Sequence, residues 1–346
     1  MTWLAWRQFR GQAVTATAAL AVFAVLLAVT GPHLASEYAS SGIGACHGGR
    51  CQELAGNFLA VIDTGVYPTV YLITLMIIIL APAVTGIFWG APLIAREYEA
   101  GTFRLAWTQS VTRLRWLAAK ITLAGLAAMA VCEALSLLQG WWAAPIDRAA
   151  RLTSSGSYPL DLGPFNPLTF ATHGITPLGY AAFGFALGCT TGVLIRRTVP
   201  AMAITLAVFA AVQVAFPLGI RPHLFPPGHA SIALGSTNLN TSLTDGRFGF
   251  SADSVPGQPG AWIISSGAVN AAGAPVSSVP ACAMPPAETP PQLASCLARH
   301  GVRVATSYEP ASRYWPIQGI ETAVYLVLAM ALAGYCFWYI GRRRLA

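Results

Sequence analysis

Tyr67–Ala95 reads YPTVYLITLMIIILAPAVTGIFWGAPLIA, 29 residues without a single charge. A helix of about 20 apolar residues crosses a hydrocarbon core about 30 Å thick, so this stretch is longer than one crossing requires. Its length and its prolines, Pro68 and Pro82, leave room for tilt or a kink. Working outward, five more nearly charge-free runs follow the same rule: Ala13–Thr30, Trp116–Gly140, His173–Ile195, Val199–Gly219 and Ile317–Ile340. The sequence therefore predicts an all-α polytopic membrane protein with six transmembrane helices and a long, partly irregular extracellular loop before the last one. The run after Arg7 and Arg10 exceeds a signal-peptide core and is read as a retained helix.

The 20 basic residues outnumber the 13 acidic ones, and their positions matter more than the excess. Arg7, Arg10, Arg96, Arg104, Arg113, Arg115, Arg196, Arg197 and Arg342–Arg344 all lie before the first run, after the last or in alternate gaps, and Lys120 lies just inside the third run beside the second gap. By the positive-inside rule those segments are cytoplasmic, both termini included, and the gaps at about 31–66, 141–172 and 220–316 face outward. This charge pattern suits a plasma-membrane protein in contact with lipid and gives no reason to expect a nucleic-acid partner. Cys46 and Cys51 fall in the first outer gap, Cys282 and Cys296 in the last, so an oxidising exterior predicts two short-loop disulfides.

Four regions follow from these marks. Residues 1–12, with Trp3, Ala5, Trp6 and Phe9 on one helical arc, are expected as a cytoplasmic interfacial helix. Residues 13–219 hold helices one to five with a cytoplasmic element at 96–115. Residues 220–316 form the extracellular loop or lobe, with β-like runs at Ala261–Ser265 and Val302–Ser307. Residues 317–346 are the sixth helix and a basic tail. Gly184, Gly188 and Gly192 recur at four-residue steps, and Gly86 and Gly90 share that spacing, so helix packing through small residues is expected. The spacing leaves open whether the partner helix lies in the same chain or in a second copy.

Several chemistries are excluded. The one lysine, Lys120, follows Trp-Leu-Ala-Ala, so no Gly-x-x-x-x-Gly-Lys phosphate loop exists and ATP cannot be hydrolysed that way. No His-Glu-x-x-His occurs, the six runs contain no aspartate, and the histidines lack ligand spacing. No catalytic, cofactor or metal site is expected. Glu133 and Glu321 do lie inside apolar runs, where a carboxylate is expensive and faces a bundle interior or a wet cavity. Each reads either as part of a substrate route or as a structural carboxylate bonded to a neighbouring helix, and the shallower Glu321 favours the structural role.

The richest cytoplasmic stretch runs from Arg96 to Arg113, REYEAGTFRLAWTQSVTR. Gly101 ends one helix and Thr102 can cap another. Phe103 and Trp107 would then be apolar side chains outside the membrane, rimmed by Glu97, Glu99 and Arg113, as in a protein contact. Here the sequence resembles the permease subunits of ABC-2-type transporters, in which a Glu, a Gly-Thr pair, a short helix and a basic residue precede the third membrane helix. Glu97, Glu99, Gly101, Thr102, Arg113 and Lys120 carry the match. Trp3-Leu-Ala-Trp-Arg-Gln-Phe-Arg and Tyr308-Glu-Pro-Ala-Ser-Arg-Tyr-Trp-Pro are closer still to a group of actinobacterial permeases of unassigned substrate.

The resemblance implies a six-helix half-transporter that pairs with a second copy or a related permease and docks a separate ABC ATPase subunit. It implies export of an apolar or amphiphilic substrate. The alternative is a membrane-anchored sensor or assembly protein that works through its extracellular loop.

Overall fold

The structure, a computed structural model, describes residues 2–48, 50–101, 112–153, 163–233, 239–244, 247–252, 255–258, 260–276 and 298–342. Among these, six helical segments are long and apolar enough to cross a membrane: Arg10–Ser40, Tyr67–Ala100, Leu114–Ala150, Thr176–Ile195, Thr198–His223 and Ala311–Arg342, here spans 1 to 6. Six crossings return the chain to its starting side, so one face of the bundle is the terminal side. The opposite face, which carries the strands between spans 5 and 6, is the lobe side.

Helix α1 (Thr2–Ser40) runs without interruption, so residues 2–12 are its first turns rather than a separate element. A 3-10 turn at Ile43–Ala45 and helix α2 (Arg50–Asp63) follow, joined by the Cys46–Cys51 disulfide. Cys282 and Cys296 lie outside the described residues. Span 2 consists of α3 (Tyr67–Thr85), a π-turn at Gly86–Gly90 and α4 (Ala91–Ala100). Helix α5 (Arg113–Ala150) extends ten residues beyond the apolar run that ends at Gly140. The second outer gap therefore begins after 150 instead of 141. This also corrects the expectation that no span holds an aspartate, because Asp147 lies in the last turn of span 3.

After the short helix α6 (Pro167–Thr172), helix α7 (Thr176–Ile195) is span 4 and the hub of the bundle. It packs on spans 2, 3, 5 and 6, and 83% of its apolar window is buried, against 11% for span 1 and 22% for spans 5 and 6. Its composition explains why. Lipid is as apolar as leucine, so burial alone does not draw membrane helices together, and small residues that let backbones approach do. A Cβ on Gly184 would lie 2.7 Å from the Pro82 carbonyl oxygen, and one on Gly192 would lie 2.6 Å from that of Ala91. A Cβ on Gly188 would collide with the Gly86 carbonyl oxygen, and one on Gly86 would meet that of Gly184 at 2.5 Å. The partner of the glycine face is thus span 2 of the same chain, and the π-turn lies at the point of closest approach.

Helix α8 (Thr198–Ala215) forms span 5 and ends in a second π-turn at Phe216–Ile220 and a 3-10 turn at Arg221–His223. Helix α9 (Tyr314–Arg342) is span 6. Span 1 is held mainly by span 3: the Trp142 indole N–H donates to Thr30 Oγ1 at 2.8 Å, and Gly31 lies against the Trp141 and Trp142 rings.

The loop before span 6 contains more order than its composition suggests. Strands β1 (Gly228–Ala233), β4 (Trp262–Val269) and β5 (Arg303–Glu309) form an antiparallel sheet with β5 in the centre, and β2 (Leu239–Thr244) pairs with β3 (Arg247–Ala252). The β-like runs at Ala261–Ser265 and Val302–Ser307 fall on β4 and β5. Gly228 pairs with Tyr308 and Trp262 with Glu309, and a bulge sits at Ile263 to Ser265.

Candidate functional site

Two polar constructions stand at opposite ends of the bundle. At the terminal side, α4 ends on Gly101 at φ +68°, a left-handed cap whose N–H donates to the Tyr98 carbonyl. Residues 102–111, including Thr102, Phe103 and Trp107, lie outside the described residues, and the chain resumes at Thr112. Thr112 caps α5 by accepting from the Arg115 N–H at 3.4 Å, and Arg113 is the first helical residue.

The two carboxylates before Gly101 face other spans of the same chain. Glu97 forms an ion pair with Lys120, whose ammonium also lies 4.7 Å from the Trp116 ring centroid. Both side chains are largely covered, at 16% and 8% exposure. Glu99 is exposed and accepts from the Thr198 N–H at 2.9 Å and the Thr198 hydroxyl at 2.6 Å. A carboxylate there satisfies a free N–H at the first turn of α8 and complements the helix dipole. The adjoining Arg196 adopts φ +58° and places its guanidinium 5.4 Å from the Tyr98 ring. The segment 102–111 is therefore flanked by clasps to spans 3 and 5.

At the lobe side, Glu321 of span 6 is fully buried. Arg221 grips it through two hydrogen bonds, Nε to Oε2 and Nη2 to Oε1, each 2.9 Å, and the Tyr180 hydroxyl donates to Oε1. The Arg221 guanidinium also lies 4.0 Å from the Phe170 ring centroid. Gln318, one turn earlier, accepts from the Ile175 N–H at 3.0 Å and donates to the His173 carbonyl and the Tyr314 hydroxyl, each at 2.8 Å. A bidentate, charge-assisted pair with a third donor fixes the ends of spans 4, 5 and 6 together. Glu321 thus makes the hydrogen bonds of a structural carboxylate. Glu133 stands apart on span 3, half-buried, and its Oε2 has no hydrogen-bond partner among the described residues.

Sequence reasoning missed Arg221, which it placed in the outer loop. The signal was available: a lone arginine ends one apolar run and a lone glutamate opens another, and ionisable groups at such depths pair with each other. It also passed over Lys120 as the partner of Glu97.

Beside this lattice is a cavity of about 410 Å³, lined by Asp147, Arg151, Thr169, His173, Tyr314 and Trp315 together with Gly260 of the lobe and Ala311 at the start of span 6. Asp147 Oδ2 stands 3.6 Å from His173 Nε2. Among the described residues, no group of His, Cys, Asp or Glu could hold a metal ion.

Six apolar spans, a central helix packed through glycines and paired clasps beneath span 2 define a multi-pass membrane protein. The model of the family described as ABC-2 membrane transporter related matches residues 17–221, more than half of the chain. The chain belongs to that family and is a membrane permease of an ABC transporter. The match stops at Arg221, so the lobe and span 6 lie beyond it. No curated protein and no solved structure matches the chain.

Proposed function

We propose that this permease is the membrane-spanning half of an ATP-driven exporter for an apolar or amphiphilic substrate. In this reading the terminal side is cytoplasmic, the lobe is extracellular, and a second copy or a related permease completes the pathway. A separate ATPase subunit docks on the stretch from Gly101 to Arg113, with Phe103 and Trp107 as its apolar anchors. The observation that carries the reading is the pair of clasps flanking that stretch, Glu97 to Lys120 and Glu99 to Thr198. A push on 102–111 would reach spans 2, 3 and 5 at once, and through the glycine seam the central span 4. Rigid elements that are packed and clasped in this way transmit displacement instead of absorbing it. The missing phosphate loop fits a permease that takes its ATP hydrolysis from another subunit.

Co-purification with the ATPase tests this directly. Losing a buried aromatic anchor costs about 2 kcal/mol or more of interface free energy. Trp107→Ala and Phe103→Ala should therefore each weaken ATPase association and abolish export while leaving membrane insertion intact. Normal association and transport in both variants would reduce the stretch to a loop on the membrane surface.

A further inference from the structure

The lobe-side cavity contains a polar group that the surrounding protein leaves unsatisfied. His173 is 8% exposed, and its Nδ1 lies 3.0 Å from the Thr169 carbonyl oxygen. A carbonyl only accepts, and the Thr172 hydroxyl 3.1 Å away already donates to the Leu168 carbonyl, so Nδ1 donates; with the ring in its neutral form Nε2 presents a lone pair. That lone pair faces the Asp147 carboxylate at 3.6 Å, and Nε2 has no hydrogen-bond partner among the described residues. Thr169 is 4% exposed and lines the same cavity, with its hydroxyl close to the Tyr71 hydroxyl. Two acceptors turned toward each other call for a group with several N–H donors. Tyr314 and Trp315 on the wall add aromatic side chains, a residue type that attracts cations. Arg151, four residues after Asp147 and also on the wall, offers a planar donor set suited to phosphate or carboxylate.

We propose that this cavity binds the zwitterionic head of an amphiphile, a primary ammonium beside an anionic group such as phosphate. Asp147 and His173 Nε2 accept from the ammonium, and Arg151 donates to the anion. A cavity of about 410 Å³ at the lobe-side end of spans 3 and 6 is large enough for such a head, while its chain extends along the apolar helix surfaces. The inference goes beyond the exporter reading and does not depend on an ATPase. The head could arrive on a bilayer lipid or on a transported compound, and the chemistry recognised is the same.

Native mass spectrometry of the full-length protein in detergent tests it, with phosphatidylethanolamine, phosphatidylcholine and phosphatidylglycerol of identical chains. A bridging ammonium needs N–H donors, so phosphatidylethanolamine should be retained about tenfold better than phosphatidylcholine, which has none. Asp147→Asn should erase that preference. Arg151→Gln, at an exposed side chain with little bearing on folding, should weaken phosphatidylethanolamine retention without restoring phosphatidylcholine. Displacement by water-soluble phosphoethanolamine would show that the head alone is read, whatever its source. Failure of phosphoethanolamine to displace would assign the site to a bilayer lipid whose chain is also held. Equal retention of all three lipids, or wild-type selectivity in both variants, would overturn the proposal and leave a simple His173–Asp147 ion pair.

Discussion

The two ends of the bundle are held by charged groups of opposite character. At the lobe side, Arg221 and Glu321 are 1% and 0% exposed, bidentate, and joined by Tyr180 and the Phe170 ring. At the terminal side, Glu97 meets Lys120 through a single, largely covered ion pair without the second bond or the third donor, and Glu99 reaches Thr198 in the open. A buried, fully partnered pair is costly to break because either half alone becomes an uncompensated charge in a low dielectric. An exposed clasp such as Glu99 to Thr198 exchanges its partner for water at little cost, and the covered Glu97–Lys120 pair stands between the two cases. The lobe side is thus built to stay closed around spans 4, 5 and 6. The terminal side is the less tightly tied end, with one covered ion pair and one exposed clasp.

The comparison breaks first at Arg221. Arg221→Met or Glu321→Gln should each cost about 3–5 kcal/mol, read as a large fall in thermal unfolding temperature in detergent. The double change to apolar residues should recover most of it. A loss no larger than that of a terminal-side variant would remove the distinction between the ends. Next comes the seam that joins them: Gly188→Val places methyl groups where the Gly86 backbone already lies. Overpacking of this kind typically costs about 1–3 kcal/mol, and the same assay should show it while Gly140→Val, which meets no neighbour, stays near wild type.

The terminal clasps should respond least in stability and most in function. Glu97→Gln should cost about 1 kcal/mol and uncouple ATPase activity from transport, with the swap Glu97→Lys plus Lys120→Glu restoring coupling. Glu99→Gln should leave the unfolding temperature within error and lower transport only, an effect that a transport assay at low and high salt would detect. Full transport in both variants would place the moving contact elsewhere.

Hydropathy, charge placement and small-residue spacing made the architecture readable, because each acts locally. A run of about 20 apolar residues must leave water wherever it folds, and glycines at four-residue steps must share a helix face. The six spans, the Cys46–Cys51 bridge, the ABC-2 resemblance and strands β4 and β5 were all visible in this way. What could not be read was who faces whom. Composition does not show that Gly188 meets Gly86 on span 2, that Glu99 caps a helix 99 residues later, or that Arg221 crosses 100 residues to Glu321. Nor does hydropathy show that α5 continues to Ala150, because Trp141, Pro145 and Asp147 read as a gap until spans 1 and 6 and the lobe pack around them. Local free energies fix which segments leave water. Pairings between distant residues depend on geometry that exists only once the helices have met, so the partners of the charged groups were decided by the tertiary structure alone.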